Sequence, residues 1–170
     1  MNPSPQSESS NLFFKASSFI PHLILLAVIL SSISPSSGPH LLSMDTEHGS
    51  PLKLYVNWVL TSAGFMYAFG HFFMGDRVAK SIGWIGGREF QLEVGFANLS
   101  FALAALYTEW GHLHLDAYKS CAFGYNAFLG GCLLVHLHEL MKTRNFSFNN
   151  VIAAPSFSVM NLIYVSFFLN

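Results

Sequence analysis

The sequence predicts an all-α integral membrane protein, a bundle of about five transmembrane helices. The chain is 52% hydrophobic and only 10% charged, whereas an ordinary soluble domain is about 25% charged. Five long stretches contain no Lys, Arg, Asp or Glu: residues 16–44, 54–75, 94–108, 120–138 and 145–170. About 20 apolar residues of helix cross a bilayer. Because lipid offers no hydrogen bonds to the backbone, such stretches become helices.

The N-terminal part of the chain divides into a tail and one apolar segment. Residues 1–15 begin with a run rich in Ser, Pro and Asn, and this composition predicts a disordered tail. Residues 16–36 are predicted to be a first transmembrane helix or signal anchor. A signal sequence that is removed after export stays open as the alternative.

Residues 52–170 are predicted to form a four-helix membrane core. Its short linkers predict an antiparallel, up-down arrangement. The predicted helices cover about 52–74, 89–110, 118–141 and 150–169. Residues 75–90 are predicted to be a loop, within which a short interfacial helix would place Trp84 among the lipid headgroups.

The distribution of Lys and Arg predicts the orientation of the chain. Two of these residues, Lys53 and Lys119, fall on one side of the predicted bundle. Six fall on the other side: Lys15, Arg77, Lys80, Arg88, Lys142 and Arg144. Because cytoplasmic loops are enriched in basic residues, we expect an inner-membrane protein with its N-terminus in the cytoplasm.

Small and polar residues recur at helical spacing in each core helix. We expect these four stripes to face inward, because helices in lipid associate through small and polar side chains. The stripes comprise Asn57, Thr61, Gly64, Ala68 and His71; Glu93, Ala97, Ser100 and Ala104; Ser120, Gly124, Ala127, Gly131 and His138; and Asn150, Ala154, Ser158 and Asn161.

Each stripe has a polar or ionisable group at its cytoplasmic end. These groups are His71, Glu93, His138 and Asn150. All four lie roughly 6–9 Å along the helix from a charged residue at the cytoplasmic end of the bundle. The sequence therefore predicts one polar cluster at a shared level of the bundle.

Three interpretations of this cluster remain open. The groups could be interhelical ties, as polar side chains commonly are in membrane bundles. They could handle a proton or a small ligand, the default hypothesis for intramembrane ionisable groups. They could also ligate a divalent metal, in a set comprising His71, Glu93, His136, His138 and Glu139. The His136–Glu139 spacing occurs in carboxylate-bridged iron sites, although those sites need more carboxylates than this chain offers.

A second group of potential metal ligands lies on the opposite side. It comprises Glu109, His112, His114 and Asp116, with His40, Asp45, Glu47 and His48 in the preceding loop. These residues could bind zinc or copper, although solvated loop residues with pH-sensitive charge are the simpler interpretation.

The segment 82–106 resembles a family of small bacterial integral membrane proteins of unknown function. The resemblance rests on an IGW…FQ loop followed by an E-x-G-x-A-N core, here Glu93, Gly95, Ala97 and Asn98. It covers roughly residues 52–168. It implies a membrane fold and gives weight to Glu93 and Asn98, but it implies no known activity.

The leading functional hypothesis is an accessory or binding protein of the inner membrane. The alternatives are a small transporter or proton-coupled carrier and a membrane metalloenzyme. The partners predicted are the lipid bilayer and either other membrane subunits or further copies of this chain. A nucleic-acid partner is not expected, since the net charge is −1 and such binding needs a basic surface. The sequence contains no nucleophile motif, phosphate loop or dinucleotide fingerprint, so an enzyme is not favoured.

Overall fold

The computed structural model describes residues 19–32, 51–85 and 87–168, and these residues form helices without strands. We number five helices in chain order: α1 (Ile20–Ser32), α2 (51–82), α3 (Arg88–Trp110), α4 (Leu115–Thr143) and α5 (149–168). Within the described residues, α3, α4 and the span Asn149–Phe167 are long and apolar enough to cross a membrane, and α1 is a shorter apolar helix. The predicted fold class, an all-α membrane bundle, is confirmed.

Helix α2 extends well beyond the end predicted for it. It consists of Pro51–Leu54, a π-helical turn over Tyr55–Leu60, and Thr61–Ile82. The helix kinks at Met74, where the backbone leaves helical angles (φ −128°, ψ 20°), and it ends only at Gly83, whose φ is +79°. The prediction of a loop from residue 75 was therefore wrong for 75–82, because the kink redirects the helix without ending it.

Helix α5 opens with a π-helical turn over Asn149–Ala153, followed by regular helix over Ala154–Phe168. Pro155 lies just after this turn. Proline has no amide hydrogen to donate to the carbonyl four residues earlier, and membrane helices absorb that loss by local adjustments of this kind. The helix thus continues through Pro155.

Helix α1 packs against the core through both apolar and polar contacts. The side chain of Leu25 is fully buried and Val28 nearly so. His22 Nε2 lies 3.1 Å from the carbonyl oxygen of Ala153, and Ser32 Oγ lies 2.9 Å from the hydroxyl of Tyr164. The predicted 1–15 tail and both edges of the predicted 16–36 segment lie outside the described residues.

Helices α2 and α3 approach each other closely at glycines. A Cβ atom on Gly64 would lie 2.8 Å from both the backbone oxygen of Asn98 and the Cβ of Ala102. A Cβ atom on Gly95 would lie 2.5 Å from the ring of Phe72. The outward surface instead carries large apolar side chains such as Phe73, which is 72% exposed. Small residues inside and aromatic residues outside are typical of a bundle packed in lipid.

Two of the four predicted stripes face inward and two do not. In α2, Gly64 and Ala68 are buried, and in α5, Asn150, Ser158 and Asn161 are buried. In α3 and α4 the predicted stripes lie largely on the exposed face. Their buried faces consist of Gln91, Gly95, Asn98, Ala102, Ala105 and Thr108 in α3, and Tyr118, Ala122, Tyr125, Asn126, Leu129 and His136 in α4.

The predicted stripes of α3 and α4 are exposed because each of these helices carries two faces of small or polar residues. Gly95 and Ala102 allow α2 to approach α3, so their face is buried and the face with Glu93 is not. In α4, a Cβ on Gly131 would meet no atom of the described residues within 4 Å, so that glycine permits no close contact with the described part of the chain.

Gly64→Ala is expected to destabilise the bundle. Alanine gains about 1 kcal/mol over glycine in helix propensity, but overpacking against fixed backbone costs about 1–3 kcal/mol. Unfolding by SDS in mixed micelles would measure the free energy of unfolding. Gly131→Ala is the matched control, for which no loss is expected; equal losses in the two variants would contradict the α2–α3 contact.

Candidate functional site

One end of the bundle combines most of the basic residues with a buried polar network. The antiparallel helices bring together the C-terminal ends of α2 and α4 and the N-terminal ends of α3 and α5. Exposed basic residues at this end are Arg77, Lys80, Arg88, Lys142 and Arg144. We call it the basic end; the opposite end carries Lys53 and Lys119 among the described residues.

A chain of hydrogen bonds runs through the basic end. His136 Nδ1 and Asn150 Oδ1 are 2.7 Å apart. Asn150 Nδ2 donates to the carbonyl oxygen of Asn145 at 2.9 Å, and Asn145 Nδ2 donates to the carbonyl oxygen of Ile82 at 2.6 Å. Ser147 Oγ donates to that same Ile82 oxygen at 2.6 Å. The network therefore ties α4 and α5 to the last turn of α2.

This series of hydrogen bonds fixes the tautomer of His136. A backbone carbonyl only accepts hydrogen bonds, so the amide nitrogen of Asn150 must face Asn145 and its oxygen must face His136. His136 therefore carries its proton on Nδ1 and, in the neutral form, a lone pair on Nε2. Within the described residues Nε2 has no hydrogen-bond partner, so it can accept a proton or a hydrogen bond.

Trp84 lies against the ring of His136. The two rings stack with centroids 5.3 Å apart and an interplanar angle of 29°. The indole nitrogen of Trp84 is buried, and the described residues provide no partner for it. A buried N–H without a partner is uncommon and calls for an explanation such as an additional bound group. The stacked pair thus presents one unsatisfied donor and one open acceptor.

A second histidine–amide pair lies between α2 and α3. His71 Nδ1 is 2.7 Å from Gln91 Oε1, and Gln91 is almost completely buried. Gly75 faces this glutamine, because a Cβ there would lie 2.9 Å from the Cβ of Gln91. Sequence reasoning missed Gln91, although its spacing of four and seven residues from Gly95 and Asn98 marks the buried face of α3.

The structure brings together only part of the predicted polar cluster. His71 is half-buried and Asn150 is buried, but Glu93 and His138 lie on exposed faces of α3 and α4. The expectation that Glu93 faces inward was therefore wrong. Gln91, two residues earlier in α3, occupies the buried position instead. Asn98 is buried, and its Nδ2 donates to the Val94 carbonyl within α3 at 2.9 Å.

The predicted metal ligands are not gathered at one point. His136 is buried against Asn150, whereas His138, two residues later, is exposed. The Glu139 carboxylate accepts a hydrogen bond from Thr143 Oγ1 at 3.0 Å. Over the described ranges, no three His, Cys, Asp or Glu side chains come close enough to hold a metal ion.

At the opposite end, Glu109 joins three helices. Its Oε2 accepts hydrogen bonds from Asn57 Nδ2 at 2.6 Å and from the Tyr118 hydroxyl at 2.7 Å. The predicted ligands His112, His114 and Asp116 follow in the connection to α4 and its first turn. His40, Asp45, Glu47 and His48 lie outside the described residues. The carboxylate of Glu109 therefore serves as a tie between helices.

A third polar group occupies the interior of the bundle. The hydroxyl of Tyr55 donates to Asn161 Oδ1 at 2.8 Å, and Asn126 Nδ2 donates to that hydroxyl at 2.9 Å. All three side chains are buried. The network links α2, α4 and α5. Sequence reasoning missed Tyr55 because a tyrosine near a helix end also fits an interfacial aromatic belt.

These features define the chain as a helical bundle protein of the membrane, tied internally by amides, imidazoles and phenols. The chain belongs to a family of unknown function, DUF6790, whose family model matches residues 17–169. The predicted membership of a family without assigned function is thereby confirmed. No curated protein and no solved structure matches the chain.

His136→Ala is expected to lower the free energy of unfolding by roughly 1–3 kcal/mol, because Asn150 Oδ1 loses its donor inside the bundle. The measurement is SDS-induced unfolding of dilute protein in mixed micelles. His138→Ala, two residues away on an exposed face, should change stability by no more than about 0.5 kcal/mol. Similar effects of the two substitutions would show that His136 is not buried in the network.

Proposed function

We propose that this chain is an accessory or binding protein of the inner membrane whose ligand contacts Trp84 and His136. The observation that carries the proposal is the stacked pair itself, with the indole N–H lacking a partner and the Nε2 of His136 open. The hydrogen bonds through Asn150 and Asn145, which end on backbone carbonyls, hold the imidazole in one tautomer. Such preorganisation favours binding, because the ordering has already taken place before the ligand arrives.

The chemistry of the pair restricts the ligand. The ligand must offer an acceptor to the indole N–H and a donor or a proton to Nε2. A hydroxyl group or a protonated carboxylic acid provides both. The exposed basic residues of this end, such as Arg88 and Arg144, favour a ligand that also carries negative charge.

The orientation that we propose places the basic end in the cytoplasm. Five basic residues at this end against two at the other, among those described, follow the positive-inside distribution. We also propose that α1 is retained as a structural helix, with the N-terminus inside. Its support is the buried contact of His22 with α5 and the family match, which begins at residue 17.

A role as an accessory protein is favoured by a separate observation. Glu93 and His138 are ionisable side chains on outward faces of the two neighbouring spans α3 and α4. Ionisable groups within transmembrane segments usually face protein or a water-filled cavity rather than lipid. A protein environment would be provided if another membrane subunit, or a further copy of this chain, packed against these faces.

Trp84→Phe is expected to remove the bound ligand while the stacking on His136 persists. Phenylalanine keeps an aromatic face but has no N–H to donate. Protein purified in mild detergent would be examined by native mass spectrometry, in which the added mass should be present in the wild type and lost in the variant. The same spectra would also show whether the mass of the chain includes α1 and whether another subunit is bound.

Trp58→Phe is the matched control. Trp58 is 63% exposed on α2, so this variant should keep the added mass. A wild-type spectrum without any added mass, or a Trp84→Phe spectrum that retains it, would refute the binding site.

Cysteine labelling at the two ends of α4 should report the orientation. With Cys121 and Cys132 replaced by Ala, a membrane-impermeant maleimide added to spheroplasts should label Asp116→Cys. It should label Lys142→Cys only after permeabilisation, because that residue lies at the basic end. The opposite pattern of labelling would reverse the proposed topology.

A further inference from the structure

Two polar atoms in the interior of the bundle lack partners. The hydroxyl of Tyr125 and the Oδ1 of Asn126 are buried, and no described residue forms a hydrogen bond with either. The side chain of Tyr125 is 0% exposed and that of Asn126 is 5% exposed. The two residues are consecutive in α4, so their side chains point about 100° apart around the helix, and each brings its own unsatisfied atom into the core.

These atoms lie beside the buried network described above. Asn126 Nδ2 donates to the Tyr55 hydroxyl at 2.9 Å and to its own helix at the Ala122 carbonyl, also at 2.9 Å. Both amide hydrogens of Asn126 are thus used, which fixes the direction of its oxygen.

Leaving such atoms unsatisfied is unfavourable. A buried polar group without a hydrogen bond loses its interaction with water and gains nothing in return. The ring of Tyr125 packs edge-on against Phe101, with centroids 5.4 Å apart, and a phenylalanine would make that contact equally well. The hydroxyl therefore adds a cost to the core unless something binds it.

We propose that the core binds small hydroxyl-bearing molecules, in the simplest case water, at Tyr125 and at Asn126. At Tyr125 a hydroxyl oxygen accepts a hydrogen bond from the phenol, and at Asn126 a hydroxyl donates one to Oδ1. Buried waters in proteins typically make about three hydrogen bonds to polar groups that are otherwise unsatisfied, and the Tyr125 hydroxyl and Asn126 Oδ1 are groups of that kind. The site is distinct from the Trp84–His136 pair and does not depend on it.

The test combines stability with direct detection of water. Tyr125→Phe should lower the midpoint of thermal unfolding by several degrees, because it removes one partner of the bound molecule. Tyr107→Phe, at a residue of α3 that is 67% exposed, should leave the midpoint unchanged. In solid-state NMR of the protein in bilayers, magnetisation should pass from water to the ring of Tyr125 but not to the buried ring of Phe157.

The stability of Tyr125→Phe and the detection of a bound molecule together distinguish bound water, a bound alcohol and an empty position. Lower stability of Tyr125→Phe together with transfer from water supports bound water. Lower stability with an added organic mass in the native mass spectrum, lost in Tyr125→Phe but kept in Trp84→Phe, supports a small alcohol at the same position. A Tyr125→Phe variant at least as stable as the wild type, or a Tyr125 ring with neither water transfer nor an organic occupant, overturns the proposal.

Discussion

Helices surrounded by lipid gain little by burying apolar side chains against one another, because the lipid tails are equally apolar. In this protein the contacts that distinguish inside from outside are close approaches at small residues and hydrogen bonds between polar side chains. The approach of α2 to α3 at Gly64 and Gly95 is the most restrictive of these contacts, since a single methyl group would collide with neighbouring backbone or aromatic ring. That approach decides which face of α3 is buried and, with it, the position of Gln91 beside His71.

The polar networks follow from the same constraint. A buried amide or imidazole in a bilayer has only other protein groups or trapped water as partners. The chain therefore joins its helices through pairs such as Tyr55 with Asn161 and His136 with Asn150. At the basic end the last turn of α2 contributes a backbone carbonyl, that of Ile82, to the network. The kink at Met74 and the long α2 helix are thus directly connected to the geometry of the candidate site.

Each of the three polar networks contains a buried atom without a partner among the described residues. At the end with Glu109, the carboxylate receives two donors and ties helices together, while the Oδ1 of Asn57 has no partner. In the interior the corresponding atoms belong to Tyr125 and Asn126, and at the basic end to Trp84. The binding hypothesis rests on Trp84 and His136 because there an unsatisfied donor stacks on an imidazole whose Nε2 is open. Glu93, in contrast, lies on an outward face.

The sequence by itself determined the membrane class, the number of helices and most of their bounds, because charge-free length and short linkers are local properties of the chain. It also identified His71 and Asn150 as polar groups of the basic end. It could not determine which of two small or polar faces of α3 and α4 points inward, because both faces have the helical period. Nor could it reveal that α2 continues through Met74, or that Trp84 stacks on His136 across 52 residues of chain. Those features were decided only by the tertiary structure, since they depend on which neighbouring helix approaches closely enough to bury one face and expose the other.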